Sequence, residues 1–185
     1  TAPVGAIFME DSFDTPASGW PVQDATTWSA QYADGRYRLT LNGQSSAGVS
    51  VPVPATDYRL SVDVILGEQG DAGVIMLFRE PATFYQIAVR RDGTYALQRL
   101  EGDQVTNIED WTASAALRQG AGVANRLRIE RTGPSIRLFA NDQLLTEFTP
   151  PAEPLTNRYG FTITSPTEQG EAQFDNLLGE RISGP

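Results

Sequence analysis

Apolar residues along this chain alternate with polar ones over short runs, and nowhere do they hold a helical stripe through three turns. The period-two runs are Arg36–Asn42, Ala47–Val53, Asp57–Leu66, Ala72–Glu80, Phe84–Arg91, Thr94–Leu100, Asn125–Arg131, Ser135–Ala140, Leu144–Thr149, Tyr159–Thr164 and Ala172–Leu178, with two more at Phe8–Phe13 and Thr27–Tyr32. Clusters of Gly, Pro, Asn and Asp separate them. Ala113–Leu117 has helical spacing for a single turn at most. About a dozen strands are too many for one open sheet, so the pattern predicts an all-β fold, a two-sheet antiparallel jelly-roll sandwich. One domain is expected over residues 8–180, with 1–7 as a linker and 181–185 as a tail.

Two hairpins can be put in register from their turn residues. Asp92-Gly93 between two alternating runs is a two-residue type I′ signal. Pairing Arg91 with Thr94 then sets Arg90 beside Tyr95 and Gln86 beside Arg99 on one face, with Ile87 and Val89 on the other. The second hairpin turns at Asn141-Asp142, opposing Phe139 to Leu144 and Leu138 to Leu145.

Composition narrows the chemistry more than the architecture. The 185 residues contain no Cys, no His and no Lys, so all 14 basic residues are Arg. This excludes disulfides, a thiolate nucleophile, a Cys/His zinc site, a Ser-His-Asp triad and Schiff-base catalysis. Carboxylates, Tyr and Arg remain for acid–base work. A net charge of −9 speaks against nucleic acid or an anionic membrane as partner, and no apolar run reaches the length of a membrane span. Few oxidisable residues suit an extracellular setting.

The segments Glu10–Trp20 (EDSFDTPASGW) and Ala33–Leu41 (ADGRYRLTL), then Tyr58–Glu80, Phe84–Asp103, Asn125–Leu145 and Phe174–Glu180, follow one another as in a concanavalin A-like lectin/glucanase domain. The chain resembles the laminin-G-like and 3-keto-disaccharide-hydrolase-type jelly rolls of bacterial surface proteins over roughly residues 8 to 180. The resemblance implies a concanavalin A-like topology and an extracellular or cell-surface bacterial location. It also implies a structural calcium, held in the superfamily's glucanases by a last-strand carboxylate and by backbone carbonyls. The matching positions here are Asp175 in QFDNLLG, Ser12 in DSF and Gly35 in ADGRYRL.

Catalysis of the glucanase kind needs Glu-x-Asp-x-x-Glu or Glu-x-Asp-x-Glu on one strand, which this chain lacks. Asp63, Glu68 and Asp71 form the nearest acidic cluster, spread by Gly67 and Gly70 over a strand end and a turn. They read as a solvated edge before they read as an acid pair. The hairpin register groups Gln86, Arg90, Tyr95 and Arg99, with Arg79 at the end of the preceding strand and Trp111 as a larger platform. Arginine forks beside aromatic rings suit a sugar, and an acidic one best. Trp20 and Trp28 sit near early turns and read as packing residues.

The expectation is therefore a non-catalytic carbohydrate-binding or adhesion-type module of a larger secreted or surface protein. A glycoside hydrolase or 3-keto-glycoside-cleaving domain with an atypical site stands as the alternative, and a purely structural, laminin-G-like interaction module as the third.

Overall fold

The computed structural model describes residues 5–152 and 155–182. Its strands are β1 (Ile7–Asp11), β2 (Gln23–Asp24), β3 (Trp28–Ala33), β4 (Arg36–Asn42), β5 (Ser46–Pro52), β6 (Tyr58–Leu66), β7 (Asp71–Arg79), β8 (Thr83–Val89), β9 (Thr94–Glu101), β10 (Gln104–Ala113), β11 (Ala124–Thr132), β12 (Ser135–Ala140), β13 (Gln143–Phe148), β14 (Thr156–Thr164) and β15 (Gln169–Arg181). A single 3-10 turn, Pro16–Ser18, is the helical element among the described residues. One sheet runs β13-β12-β11-β6-β15-β4-β3-β2, with β1 added along the second half of β15. The other runs β10-β9-β8-β7-β14-β5. Every pairing is antiparallel, as the predicted sandwich requires.

The inward faces of both sheets carry the alternate apolar residues. Phe161 on β14 and Phe174 on β15 stack across the interior, with ring centroids 4.0 Å apart and planes 12° from parallel. Trp20 stacks on the same Phe161 ring at 4.7 Å, and Tyr37, Phe13 and Tyr159 close around it. Trp20 is thus core, and Trp28 packs against the core's margin. Burying aromatic rings of this size contributes about 1.5–3 kcal/mol each.

Three details differ from the sequence reading. Strand β10, 10 residues long, is an edge strand whose largely exposed residues show no alternation. Residues Ala113–Leu117 make a strand end and a turn, closed by Leu117 N–H donating to the Ser114 carbonyl. At the domain ends, Gly5 N–H donates to the Arg181 carbonyl and Arg181 N–H to the Ala6 carbonyl, and Ile7 and Arg181, expected in linker and tail, lie in β1 and β15. The remainder of those two segments, 1–4 and 183–185, lies outside the described residues.

The most consequential correction is the β8–β9 hairpin. Its loop has three residues, Arg91-Asp92-Gly93, not two. Arg90 N–H donates to the Thr94 carbonyl at 2.9 Å and Gly93 N–H to the Arg90 carbonyl at 3.1 Å. Gly93 takes the left-handed φ of +82° that a type I turn followed by a bulge requires, and the Asp92 carboxylate accepts from Thr94 N–H and Oγ1. Pairing consequently slips by one residue, to Val89–Tyr95, Ile87–Leu97 and Tyr85–Arg99. Apolar residues now oppose apolar residues on the inner face, and that match outweighs the dipeptide signal. The second hairpin keeps Phe139 opposite Leu144, but a bulge then puts Thr146 instead of Leu145 opposite Leu138.

Gly160 on β14 sits so close to β5 that a Cβ there would meet the Val49 carbonyl oxygen at 2.0 Å and Ser50 Cα at 2.7 Å. Backbone cannot step aside as a side chain can. Gly160→Ala is expected to lower the unfolding free energy by about 3 kcal/mol, read as a reduced urea midpoint at unchanged m-value.

Candidate functional site

On the outer face of the six-stranded sheet, alternation places Asp71, Gly73 and Ile75 of β7, Gln86 and Ala88 of β8, and Gln98 and Leu100 of β9, with Arg90 at the β8 end. A chain of polar side chains crosses this face. Thr162 Oγ1 donates to Gln86 Oε1 at 2.7 Å, Gln86 Nε2 to Gln98 Oε1 at 2.8 Å, and Gln98 Nε2 to Asn107 Oδ1 at 3.0 Å. Asn107 Nδ2 in turn donates to Asp110 Oδ1 at 3.0 Å. The first link bridges β14 and β8 over β7 because β7 carries glycine there. A Cβ on Gly73 would stand 2.2 Å from Thr162 Oγ1 and 2.4 Å from Gln86 Oε1. Gln86 and Gln98 are buried in this chain, so they fix the floor more than they face solvent.

Beside that floor, the Arg90 guanidinium lies over the Trp111 indole, 3.5 Å from its ring centre, and its Nε donates to Asp71 Oδ2 at 3.0 Å. Burial pushes the Asp71 carboxyl above its ordinary pKa, with Arg90 opposing the shift. A pocket of about 130 Å³ lies among Gly73, Gln86, Arg90, Gln98, Leu100 and Trp111. A second, of about 310 Å³, adjoins it and shares Gln86, Leu100 and Thr164. Together they form one groove across the sheet.

Of the residues grouped by sequence, Gln86, Arg90 and Trp111 line this groove. The one-residue slip carries Tyr95 and Arg99 to the opposite face. Tyr95 is 3% exposed in the core, where its hydroxyl donates to Glu109 at 2.7 Å and lies 3.1 Å from the Leu145 carbonyl. Burial and Glu109 together raise its pKa. Arg99 pairs with Glu101 at 2.6 Å and stands over the Tyr85 ring. Arg79, opposite Thr83, falls one step out of phase with the groove residues Phe78 and Phe84. Two of the three arginines that suggested an acidic ligand are therefore elsewhere, and the third is neutralised by Asp71.

The acidic cluster disperses in the same way. Asp63 pairs with Arg126, Glu68 with Arg91 and Asp71 with Arg90, so no acid pair forms. Sequence reasoning missed Asp71 as a groove residue, and it missed Gln98, Asn107, Thr162, Phe78 and Phe84. The signal was available for Gln98 and Phe84, since pairing apolar with apolar across the hairpin puts both beside Gln86.

The three residues aligned with a calcium site do approach one corner of the larger sheet. Phe174 pairs with Tyr37, which sets Asp175 beside Arg36 and Gly35, and Asp11 pairs with Leu177, which brings Ser12 alongside. However, Asp175 Oδ2 faces Arg36 Nε at 3.9 Å and its Oδ1 accepts Asn176 N–H at 2.7 Å. Ser12 donates its hydroxyl to Asp14. Among the described residues no three acidic side chains gather as a metal site. Calcium seeks six to eight oxygens, and Asp175, the one carboxylate of the set, is shared here with the Arg36 guanidinium.

A family model described as the 3-keto-alpha-glucoside-1,2-lyase-like domain matches residues 9–177. The chain belongs to that family. Similar solved structures share its fold at low sequence identity. A protein of unknown function with a galectin-like fold from Bacillus subtilis superposes with a TM-score of 0.71 at 12% identity, covering 98% of both chains. The carbohydrate-binding module CBM66 from Bacillus subtilis gives 0.65 at 14% identity, over 88% of this chain and 95% of that one. The Bacillus licheniformis beta-glucanase gives 0.61 at 12% identity, over 98% and 100%. A search of curated proteins finds no match. The lyase-like family is thus built here on a concanavalin A-like jelly roll.

Two outcomes are expected from this geometry. Because the Asp71 pKa is raised on folding, the native state holds more protons than the unfolded state between the two pKa values, and stability falls as pH rises through that window. Asp71→Asn removes that titration, so its melting temperature relative to the parent should climb with pH across the acid range and then level off. A pH-independent difference would show that Asp71 titrates normally. Calcium at millimolar concentration is expected to leave the melting temperature unchanged. A calcium-dependent rise abolished by Asp175→Ala would instead place the ion beside Asp175.

Proposed function

We propose that this domain binds carbohydrate without cleaving it, along the groove on the outer face of the six-stranded sheet, as a module of a larger secreted or surface bacterial protein. The observation that carries this reading is Trp111, a partly exposed indole braced by Arg90 beside a floor of hydrogen-bonded amides. Sugars are gripped by an aromatic plate against the apolar ring face and by fixed polar groups at its edge. Asn107 and Asp110 on β10 continue the polar chain that starts from this floor. The similarity to a carbohydrate-binding module supports the reading.

Cleavage by paired carboxyls needs one acid and one base or nucleophile free to act. The one carboxylate in the groove's lining, Asp71, is already engaged by Arg90. With Arg90 neutralised, the ligand is read as a neutral glycan, and binding should change little with added salt. The family assignment favours a second reading, cleavage of a 3-keto-glucoside, which release of free sugar from such a substrate would establish.

Binding is tested by isothermal titration against a panel of neutral and acidic oligosaccharides. Trp111→Ala is expected to weaken binding by roughly 10- to 30-fold while the circular dichroism spectrum is unchanged. Equal affinities of variant and parent for every ligand that binds would move the site away from this groove.

A further inference from the structure

The two halves of the groove differ in chemistry. Its larger pocket, about 310 Å³, is walled by Ile75, Phe78, Pro81, Ala82, Phe84 and Leu100. Phe78 and Phe84, neighbours across β7 and β8, lie nearly parallel at 12° with ring centres 6.0 Å apart. Arg158 braces Phe78 from behind, its guanidinium 5.5 Å from the ring centre while its Nε donates to Ser50 Oγ at 2.9 Å. Of the four hydroxyls in its lining, Ser50 is engaged by Arg158 and Thr162 by Gln86, while those of Ser46 and Thr164 stand at the exposed rim. The floor is lowered by Gly48, where a Cβ would come 3.0 Å from Thr162 Cγ2.

Such a pocket has apolar walls and, below its rim, paired polar atoms, so its interior offers a sugar's hydroxyls few partners, whereas an apolar ring needs none. It adjoins the Trp111 half, the two sharing Gln86 and Leu100 in their linings. We propose that the apolar pocket is an aglycone subsite: the domain takes a glycoside whose sugar lies on the Trp111 half and whose planar, apolar aglycone enters the pocket against Phe84 and Leu100. This rests on the carbohydrate-binding reading above and specifies the ligand class for that site.

The test compares methyl and 4-nitrophenyl hexopyranosides, matched in sugar and anomer, and the corresponding methyl disaccharides, by isothermal titration with the intact chain. The 4-nitrophenyl glycoside is expected to bind at least about tenfold more tightly than the methyl glycoside, and the disaccharide no more tightly than the methyl monosaccharide. Phe84→Ala should erase the aryl preference, with an unchanged circular dichroism spectrum reporting that the variant is folded. Ala82→Trp, which fills the pocket instead of emptying it, should do the same. Equal binding of aryl and methyl glycosides by the parent, or a preference for the disaccharide, overturns the aglycone subsite and leaves sugar binding standing. A preference that survives both substitutions also overturns it. Failure of every glycoside to bind, with 4-nitrophenol alone failing too, overturns both readings.

Discussion

Phe161 packed against Phe174 is the contact on which the rest of this structure depends. The two rings belong to β14 and β15, strands inside the two different sheets, and they stack at 4.0 Å with no solvent exposure. Once those rings face each other, alternation assigns every neighbouring residue to a side. Tyr159 and Ile163 turn inward with Phe161, while Gly160 and Thr162 turn outward. The groove is the outward half of that assignment. Its depth comes from the glycines that the same alternation exposes, and its polar floor from Thr162 reaching Gln86 across Gly73.

The outer face of the larger sheet solves a different problem with the same residue set. Glu130, only 5% exposed, accepts from Arg59 at 2.8 Å and from Arg137 at 2.7 Å, with Arg128 at 3.4 Å. A buried carboxylate needs such partners, because an unpaired one would cost several kcal/mol. Farther along, Arg126 reaches Asp63 and Ser61, and Arg36 reaches Asp175. Arginine's planar fork can serve two or three acceptors on neighbouring strands at once, which a lysine ammonium does with less geometric definition. A chain with arginine as its sole basic residue ties its sheet laterally in this way. One face is thereby a closed charge network, and the other keeps the indole and the apolar pocket open.

The fold class was legible because period-two alternation is a local property, and strand after strand obeyed it. Where alternation failed, so did the reading. Strand β10 carries exposed residues on both sides of an edge and announces nothing. The site was less legible, for a reason that one loop residue makes plain. Arg91 belongs to the turn and not to the strand, and that difference moves Tyr95 into the interior and Arg99 to the opposite face while delivering Gln98 to the groove. The apolar pairs Val89–Tyr95 and Ile87–Leu97 carried enough information to choose the longer loop, had burial been weighed above the Asp-Gly dipeptide.

The sequence by itself determined that this chain makes short amphipathic strands, that two sheets bury their apolar faces together, and that the chemistry of thiols, imidazoles and amines is closed to it. Only the tertiary structure decided which residues meet. Side chains from β14, β8, β9 and β10 form one polar chain because strands distant in sequence are adjacent in the sheet. Trp111 reaches Arg90, and Arg90 reaches Asp71, for the same reason. Alternation says which face a residue takes, but strand order and register say what it finds there, and both are set by the packing of the whole sandwich.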